Sequence, residues 1–203
     1  RRGNIFGMLG MLIAVLATLF SVDFFTSNIQ TVIFVLVAII IGGIIGSIIA
    51  RKIAMTAMPQ LVAAFHSLVG LAAVFVALAA FYAPESFNIG TLGKIKILSL
   101  VEMSLGAVIG AITFSGSVIA FGKLQGIMSG SPIVFKGQHL LNLFIGLIIL
   151  SGIVYLCFNQ DQNIYLAIIV LAFLIGFLII IPIGGADMPV VVSMLNSYSG
   201  WAA

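Results

Sequence analysis

Six apolar stretches, each close to 20 residues long and almost free of charge, dominate this sequence. They span residues 5–22, 29–50, 59–82, 97–122, 140–158 and 164–183. A seventh begins near residue 189 and is incomplete. A helix needs about 20 apolar residues to cross a bilayer, and the runs lack the alternation of barrel strands. The sequence therefore predicts an all-α, polytopic transmembrane helical bundle of about seven spans, the last one truncated.

Composition excludes the soluble alternatives. Only 13 of the 203 residues are formally charged (8 basic and 5 acidic), and 63% are hydrophobic. About 25% of the residues of an ordinary soluble domain are charged, so the bilayer is the expected solvent. The eight basic residues are too scattered to form a phosphate-binding face, which excludes nucleic acid as a partner. The single cysteine, Cys157, cannot form an internal disulfide.

The charges also predict an orientation. Six basic residues fall on the side of the N-terminus, here called the inner side: Arg1, Arg2, Arg51, Lys52, Lys123 and Lys136. The opposite, outer side holds only Lys94 and Lys96, together with three acids, Asp23, Glu85 and Asp161. By the positive-inside rule, the inner side is the cytoplasm or the mitochondrial matrix. We expect residues 1–203 to form a single transmembrane domain that is a fragment of a larger protein, because both ends look cut.

An internal repeat links two of the spans. Residues 58–73 recur at 188–203 with seven of 16 positions identical. Four predicted spans lie between the two starts, so both copies enter the membrane from the inner side. This is a parallel repeat, and repeats are common around membrane transport sites.

Each copy places small residues and one polar residue on a single helix face. The faces are Pro59, Ala63, His66, Gly70 and Ala73 in the first copy, and Pro189, Ser193, Asn196, Gly200 and Ala203 in the second. His66 and Asn196 occupy matching positions, about 10 Å along the helix from the inner end at 1.5 Å per residue. They could therefore share one cavity. The fourth span carries a third such face: Glu102, Gly106, Gly110, Thr113 and Ser117.

Each polar residue on these faces admits two interpretations. His66 either bonds to a neighbouring carbonyl and packs helices, or relays protons, because imidazole titrates at cellular pH. Asn196 makes a plain bond between helices, or orients a water or the imidazole. Ser117 bonds to the carbonyl four residues earlier, or lines a polar path. Glu102 is a wet interfacial carboxylate, or an entry group for protons.

The segment from Gly184 to Pro189 joins two spans on the inner side. Asp187 within it either caps the following helix, where its charge suits the dipole, or presents a carboxylate to a partner domain. The chain has no His/Cys cluster, catalytic triad, dinucleotide fingerprint or P-loop, so we predict no catalytic, metal or cofactor-binding residue in it.

Three stretches carry a resemblance to a known family. They are MTAMPQLVAAFHSLVG at 55–70, FSGSVIAFGKL at 114–124 and GGADMPVVVSMLNSYSGW at 184–201. With them the chain resembles the membrane domain of the proton-translocating NAD(P) transhydrogenase, in its β-subunit part. The resemblance covers nearly the whole chain and is weaker in the first 50 residues and in the fifth and sixth spans.

The resemblance implies an activity and residue roles. Proton translocation through the membrane domain would be coupled to hydride transfer between NAD(H) and NADP(H). His66, Asn196 and Ser117 match the channel residues of the family, and Glu102 matches its intramembrane glutamate. Asp187 matches the loop acid that couples to the NADP(H) domain.

The resemblance also implies partners and a location. The partners are the lipid bilayer, α-subunit transmembrane helices, soluble NAD(H)- and NADP(H)-binding domains on the inner side, and a second copy of the full enzyme. The location is a bacterial plasma membrane or the mitochondrial inner membrane. NAD and NADP bind only in the full enzyme, and this fragment alone should be inactive. The rival classes are a secondary transporter or channel for a small solute or ion, and a purely structural anchor.

Overall fold

A computed structural model describes residues 2–21 and 28–202, with side chains for residues 2–20 and 28–200. Arg1, Asp23 and Ala203, on which parts of the orientation and repeat predictions rest, lie outside these residues. The chain divides into two compact units, Arg1–Ile53 and Ala54–Ala203.

The first unit contains two apolar helices, α1 (Arg2–Ser21) and α2 (Ile29–Lys52). Both are long and apolar enough to cross a membrane. The Asn28 side chain accepts a hydrogen bond from the backbone N–H of Gln30 at 3.2 Å and caps the start of α2. Arg51 and Lys52 occupy the last turn of α2, where positive charge suits the helix dipole. None of the side chains described in α1 and α2 is fully buried within the unit, as expected of helices whose solvent is lipid.

The second unit is an antiparallel bundle of five helices. These are α3 (Met58–Tyr82), α4 (Ile97–Leu124), α5 (Gln138–Asn159), α6 (Gln162–Ile180) and α7 (Met188–Ala202). A hairpin of two short strands, β1 (Gly90–Thr91) and β2 (Lys94–Ile95), precedes α4. The helix α4 is central, because α3, α6 and α7 all pack along it. The first six helices of the described residues begin and end within three residues of the predicted spans, and α7 begins one residue before the predicted start of the seventh.

Glycines allow close helix contacts along α4. A Cβ atom at Gly70 in α3 would lie 2.7 Å from the carbonyl oxygen of Gly110 in α4, and the reverse distance is also 2.7 Å. On another side of α4, a Cβ atom at Gly176 in α6 would lie 2.9 Å from the carbonyl oxygen of Ile112. Small residues thus bring the backbones into contact, as is usual where lipid removes the hydrophobic drive between helices.

The two ends of this bundle are closed by side chains. At the inner end, where α4 ends and α3 and α7 begin, Gln60 donates to the carbonyl oxygen of Leu124 at 3.3 Å. At the outer end, Gln160 binds both the N–H and the carbonyl of Ile95, at 2.9 and 3.0 Å. Phe81 and Tyr165 stack there with ring centroids 4.2 Å apart.

The structure carries the sequence repeat. A three-residue 3₁₀ turn precedes each copy, Met55–Ala57 before α3 and Gly185–Asp187 before α7, and each helix has proline as its second residue. Both helices begin at the inner end of α4, so the repeat is parallel, as predicted. The two copies are packed differently, however. In α3 the repeat face is buried at Ala63, His66 and Gly70, whereas α7 buries Val191, Val192 and Leu195 and leaves its repeat face exposed.

Candidate functional site: buried polar atoms between α3 and α4

His66 lies about a third of the way along α3 from its inner end and is only 6% exposed. Its Nε2 atom is buried and has no hydrogen-bond partner among the described residues. The structure therefore does not satisfy this nitrogen with a backbone carbonyl, as the packing interpretation requires. A buried polar atom without a partner is uncommon and needs an explanation such as a water or a functional role.

The facing side of α4 carries two more atoms of this kind. Thr113 and Ser117 are 1% and 0% exposed, and neither hydroxyl has a partner among the described residues. Two other buried serines of α4 behave as helix serines commonly do: Ser104 bonds to the carbonyl of Leu100 at 2.6 Å and Ser115 to that of Ala111 at 2.9 Å. Within α4, the unpartnered hydroxyls thus lie on the face turned towards α3; the one other buried hydroxyl without a partner among the described residues is that of Tyr165 in α6, near the outer end.

The helix register places His66 at the level of Ser117. Gly70 approaches Thr113 and Phe114, with 3.1 Å between its built Cβ atom and the Cβ of Thr113. Two helical turns before Gly70 in α3, Ala63 lies in the same buried cluster as Ala120 of α4. Because α3 and α4 run antiparallel, His66 falls between these two contacts, opposite the turn that contains Ser117.

Asn196 reaches the same level from α7. Its neighbour Leu195 packs against Gly116, whose built Cβ atom lies 3.2 Å from a Leu195 methyl carbon. The Asn196 side chain itself is exposed and lines two clefts between α7 and the other helices.

Along α3, one cleft lies before His66 and the other lies after it. One, of about 410 Å³, is lined by Pro59 and Val62 of α3, before His66. The other, of about 370 Å³, is lined by Val69 and Gly70, after it. His66 lines neither cleft, so the structure gives the two residues a common depth and does not place them in one shared cavity.

Glu102 stands apart from this group. It lies about one and a half turns inside the outer end of α4, is exposed, and has no hydrogen bond or ion pair among the described residues. A Cβ atom at Gly106, one turn further in, would meet nothing within 4 Å. The predicted face of α4 is therefore buried against α3 from Gly110 onwards and open before it.

Asp187 ends the 3₁₀ turn before α7 and is exposed. Its carboxylate makes no capping hydrogen bond with the described residues, so the simple cap interpretation has no support in the geometry. Its backbone N–H bonds to the carbonyl of Gly184 at 3.1 Å.

Sequence reasoning did not single out several buried or partly buried polar side chains at the inner end, among them Gln60 and Lys123. Gln60 has a buried Oε1 atom with no partner in the described part of the chain. Lys123 is only 5% exposed, whereas the charge pattern predicts it as one of the basic residues at the inner boundary of the membrane. Its position within the last turn of α4, rather than in a loop, was the available signal. The described residues bring no three His, Cys, Asp or Glu side chains together.

Comparison with known proteins places this chain in a family. The sequence family described as NAD(P) transhydrogenase beta subunit matches residues 1–203. Two curated relatives, both named NAD(P) transhydrogenase subunit beta and both from Rhodospirillum rubrum (one from a named strain), are each 57% identical over 203 residues. The match covers 100% of this chain and 43% of each relative, so the chain spans less than half the length of the relatives it matches. The chain is an integral membrane protein, and it belongs to the NAD(P) transhydrogenase beta subunit family.

Proposed function

We propose that this chain forms the proton-conducting membrane part of a transhydrogenase, in which proton translocation is coupled to hydride transfer between NAD(H) and NADP(H). Family membership supports the reaction, and the transporter and anchor alternatives draw no comparable support. The observation that carries the proposal is the set of buried, unpartnered polar atoms at one level of the bundle: His66 Nε2, Thr113 Oγ1 and Ser117 Oγ.

Such a set suits proton transfer for a physical reason. A buried hydroxyl or imidazole nitrogen without a protein partner costs free energy unless water bonds to it. Waters held between α3 and α4 would then link the three atoms in one hydrogen-bonded chain. Imidazole is the member of this set that can gain and lose a proton at cellular pH.

The remaining predicted residues take roles along the same route. Asn196 orients waters in the clefts beside α3, and Glu102 receives protons near the outer end. Asp187, exposed on the inner side, contacts the NADP(H)-binding domain. Protonation of His66 and the nucleotide state of that domain then bias each other, as any coupling between two sites must be reciprocal.

The rest of the proposal concerns the full enzyme. NAD and NADP bind in soluble domains on the inner side, which is the bacterial cytoplasm or the mitochondrial matrix. The α-subunit helices complete the membrane domain, and two copies of the full enzyme form a dimer.

The test is His66→Ala in the full enzyme reconstituted in vesicles. We expect proton pumping and the reverse hydride transfer that depends on it to fall by about 100-fold, the usual scale for losing a positioned acid–base group. The control is His139→Ala, because His139 is exposed at the start of α5 and far from the buried set in sequence. If His66→Ala pumps protons at the rate of the His139→Ala control, the proposal is wrong.

A further inference from the structure

The ammonium group of Lys123 is buried at the inner end of α4 and is bound by backbone carbonyls. Its Nζ atom donates to the carbonyl oxygens of Ile181 and Ile183 at 2.6 and 2.7 Å. A third, longer contact reaches the carbonyl of Ser131 at 3.5 Å. Three N–H donors thus meet three acceptors, which is the full capacity of an ammonium group.

The acceptors are present because α6 ends abruptly. Pro182 has no N–H and cannot bond to the carbonyl of Leu178, which accepts from Gln138 Nε2 at 2.9 Å instead. The carbonyls of Ile181 and Ile183 follow the last helical turn and lie at the negative end of the helix dipole. A buried lysine is stabilised there without a carboxylate, and no ion pair of Lys123 occurs among the described residues.

Lys123 therefore joins two segments that also bind each other. The N–H of Gly185 bonds to the carbonyl of Gly130 at 2.8 Å, and the N–H of Ile133 to that of Ile181 at 3.4 Å. A Cβ atom at Gly185 would lie 3.2 Å from the Cα of Gly130. Segment 181–185 is thus held on segment 130–133, with the ammonium of Lys123 bonded to both.

This arrangement connects the buried polar set with Asp187. Ser117 and Lys123 are six residues apart on one helix, about 9 Å at 1.5 Å per residue. Asp187 follows Ile183 by four residues, and its N–H bonds to Gly184. A lysine at a helix end ordinarily extends its ammonium group into water. Lys136, by contrast with Lys123, is exposed.

We propose that Lys123 is a positioning residue that fixes the segment carrying Asp187 to the inner end of α4. Movements of α4 at the level of Ser117 and movements of Asp187 are then transmitted through the carbonyls of Ile181 and Ile183. The proposal rests on the proposed function, since it concerns the coupling of the proton route to the inner-side domain.

The test measures protons translocated per hydride transferred in the full enzyme reconstituted in vesicles. In Lys123→Met, segment 181–185 is no longer fixed to α4 and can respond to nucleotide independently of that helix. Hydride transfer therefore continues, while the ratio falls by about tenfold, which is within the range for single residues in a coupling network. Lys123→Arg keeps a donor to the carbonyls and retains at least half of the wild-type ratio. The matched control, Lys136→Met, removes an exposed lysine and leaves the ratio unchanged.

A structural role alone would lower the amount or the rate of the enzyme without changing the ratio. A wild-type ratio in Lys123→Met therefore overturns the proposal. If that variant does not assemble, Lys123→Gln, which keeps N–H donors and loses the charge, is judged by the same ratio. His66→Ala is measured in parallel: undiminished pumping there contradicts the proposed function, whereas loss of pumping there with a wild-type ratio in the Lys123 variants contradicts only this inference.

Discussion

At the scale of single residues, the hydroxyls of α4 show how one residue type acquires two roles. Ser104 and Ser115 point along the helix and bond to carbonyls of the preceding turn. Ser117 is equally buried and bonds to none of the described residues. The difference lies in the face of the helix, since only Ser117 lies on the face turned towards His66.

This difference predicts that replacing serine by alanine has different effects at Ser104 and at Ser117. Ser104→Ala removes a buried hydrogen bond and should lower the free energy of unfolding by about 1 kcal/mol. Ser117→Ala removes an unpartnered hydroxyl, so stability should be unchanged or slightly higher while proton pumping falls. Thermal unfolding in detergent and pumping in vesicles measure the two effects. If the Ser117→Ala enzyme pumps protons at the rate of the Ser104→Ala enzyme, Ser117 is not part of the proton route.

At the scale of helices, the contact between α3 and α4 depends on glycine. The carbonyl of Gly70 would lie 2.7 Å from a Cβ atom at Gly110, and the Cβ of Ala73 would lie 3.0 Å from it. One turn away on the same face, Gly106 has open space. Two glycines of one predicted face thus differ in what surrounds them.

Alanine substitution should separate these two glycines. Gly110→Ala forces the helices apart at the level of the buried polar atoms and should cost about 1–3 kcal/mol of stability. Gly106→Ala, the matched control, gains up to about 1 kcal/mol from helix propensity. Thermal unfolding of the two variants tests this. A Gly110→Ala protein as stable as Gly106→Ala would contradict the close backbone contact.

At the scale of the whole molecule, the ends of the second unit differ in chemistry. The outer end is closed by the β1–β2 hairpin and by Gln160, with Glu85, Lys94 and Lys96 exposed around it. The inner end carries the longer connection 125–137 and the segment with Asp187. The predicted orientation, with this inner end in the cytoplasm or the matrix, follows from the basic residues.

Cysteine labelling tests that orientation. The chain contains one cysteine, so Cys157→Ser leaves its sequence free for single exposed cysteines. In closed vesicles with the inner side inside, an impermeant maleimide should label Ser86→Cys at once, but Ser129→Cys only after permeabilisation. Both serines are exposed in the structure. If Ser129→Cys is labelled at once and Ser86→Cys is not, the orientation is the opposite of the predicted one.

Much of the fold could be predicted from local information. Span length, the prolines at the starts of α3 and α7, and the repeat predicted helix bounds and direction, because each depends on neighbours in sequence. His66 and Ser117 were also identified as candidates, since polar residues are rare within apolar runs. Their unpartnered state was not predictable, because it depends on which atoms of another helix lie opposite.

The sequence by itself determined that the chain crosses a bilayer as helices, where those helices begin and which end bears the positive charge. These properties follow from hydropathy and covalent neighbours. Only the tertiary structure decided which faces are buried. It showed that the two copies of the repeat pack differently, and that Lys123, predicted as a boundary charge, binds the end of α6. The reason is that burial and hydrogen bonding join residues such as Lys123 and Ile181 that lie far apart in the chain.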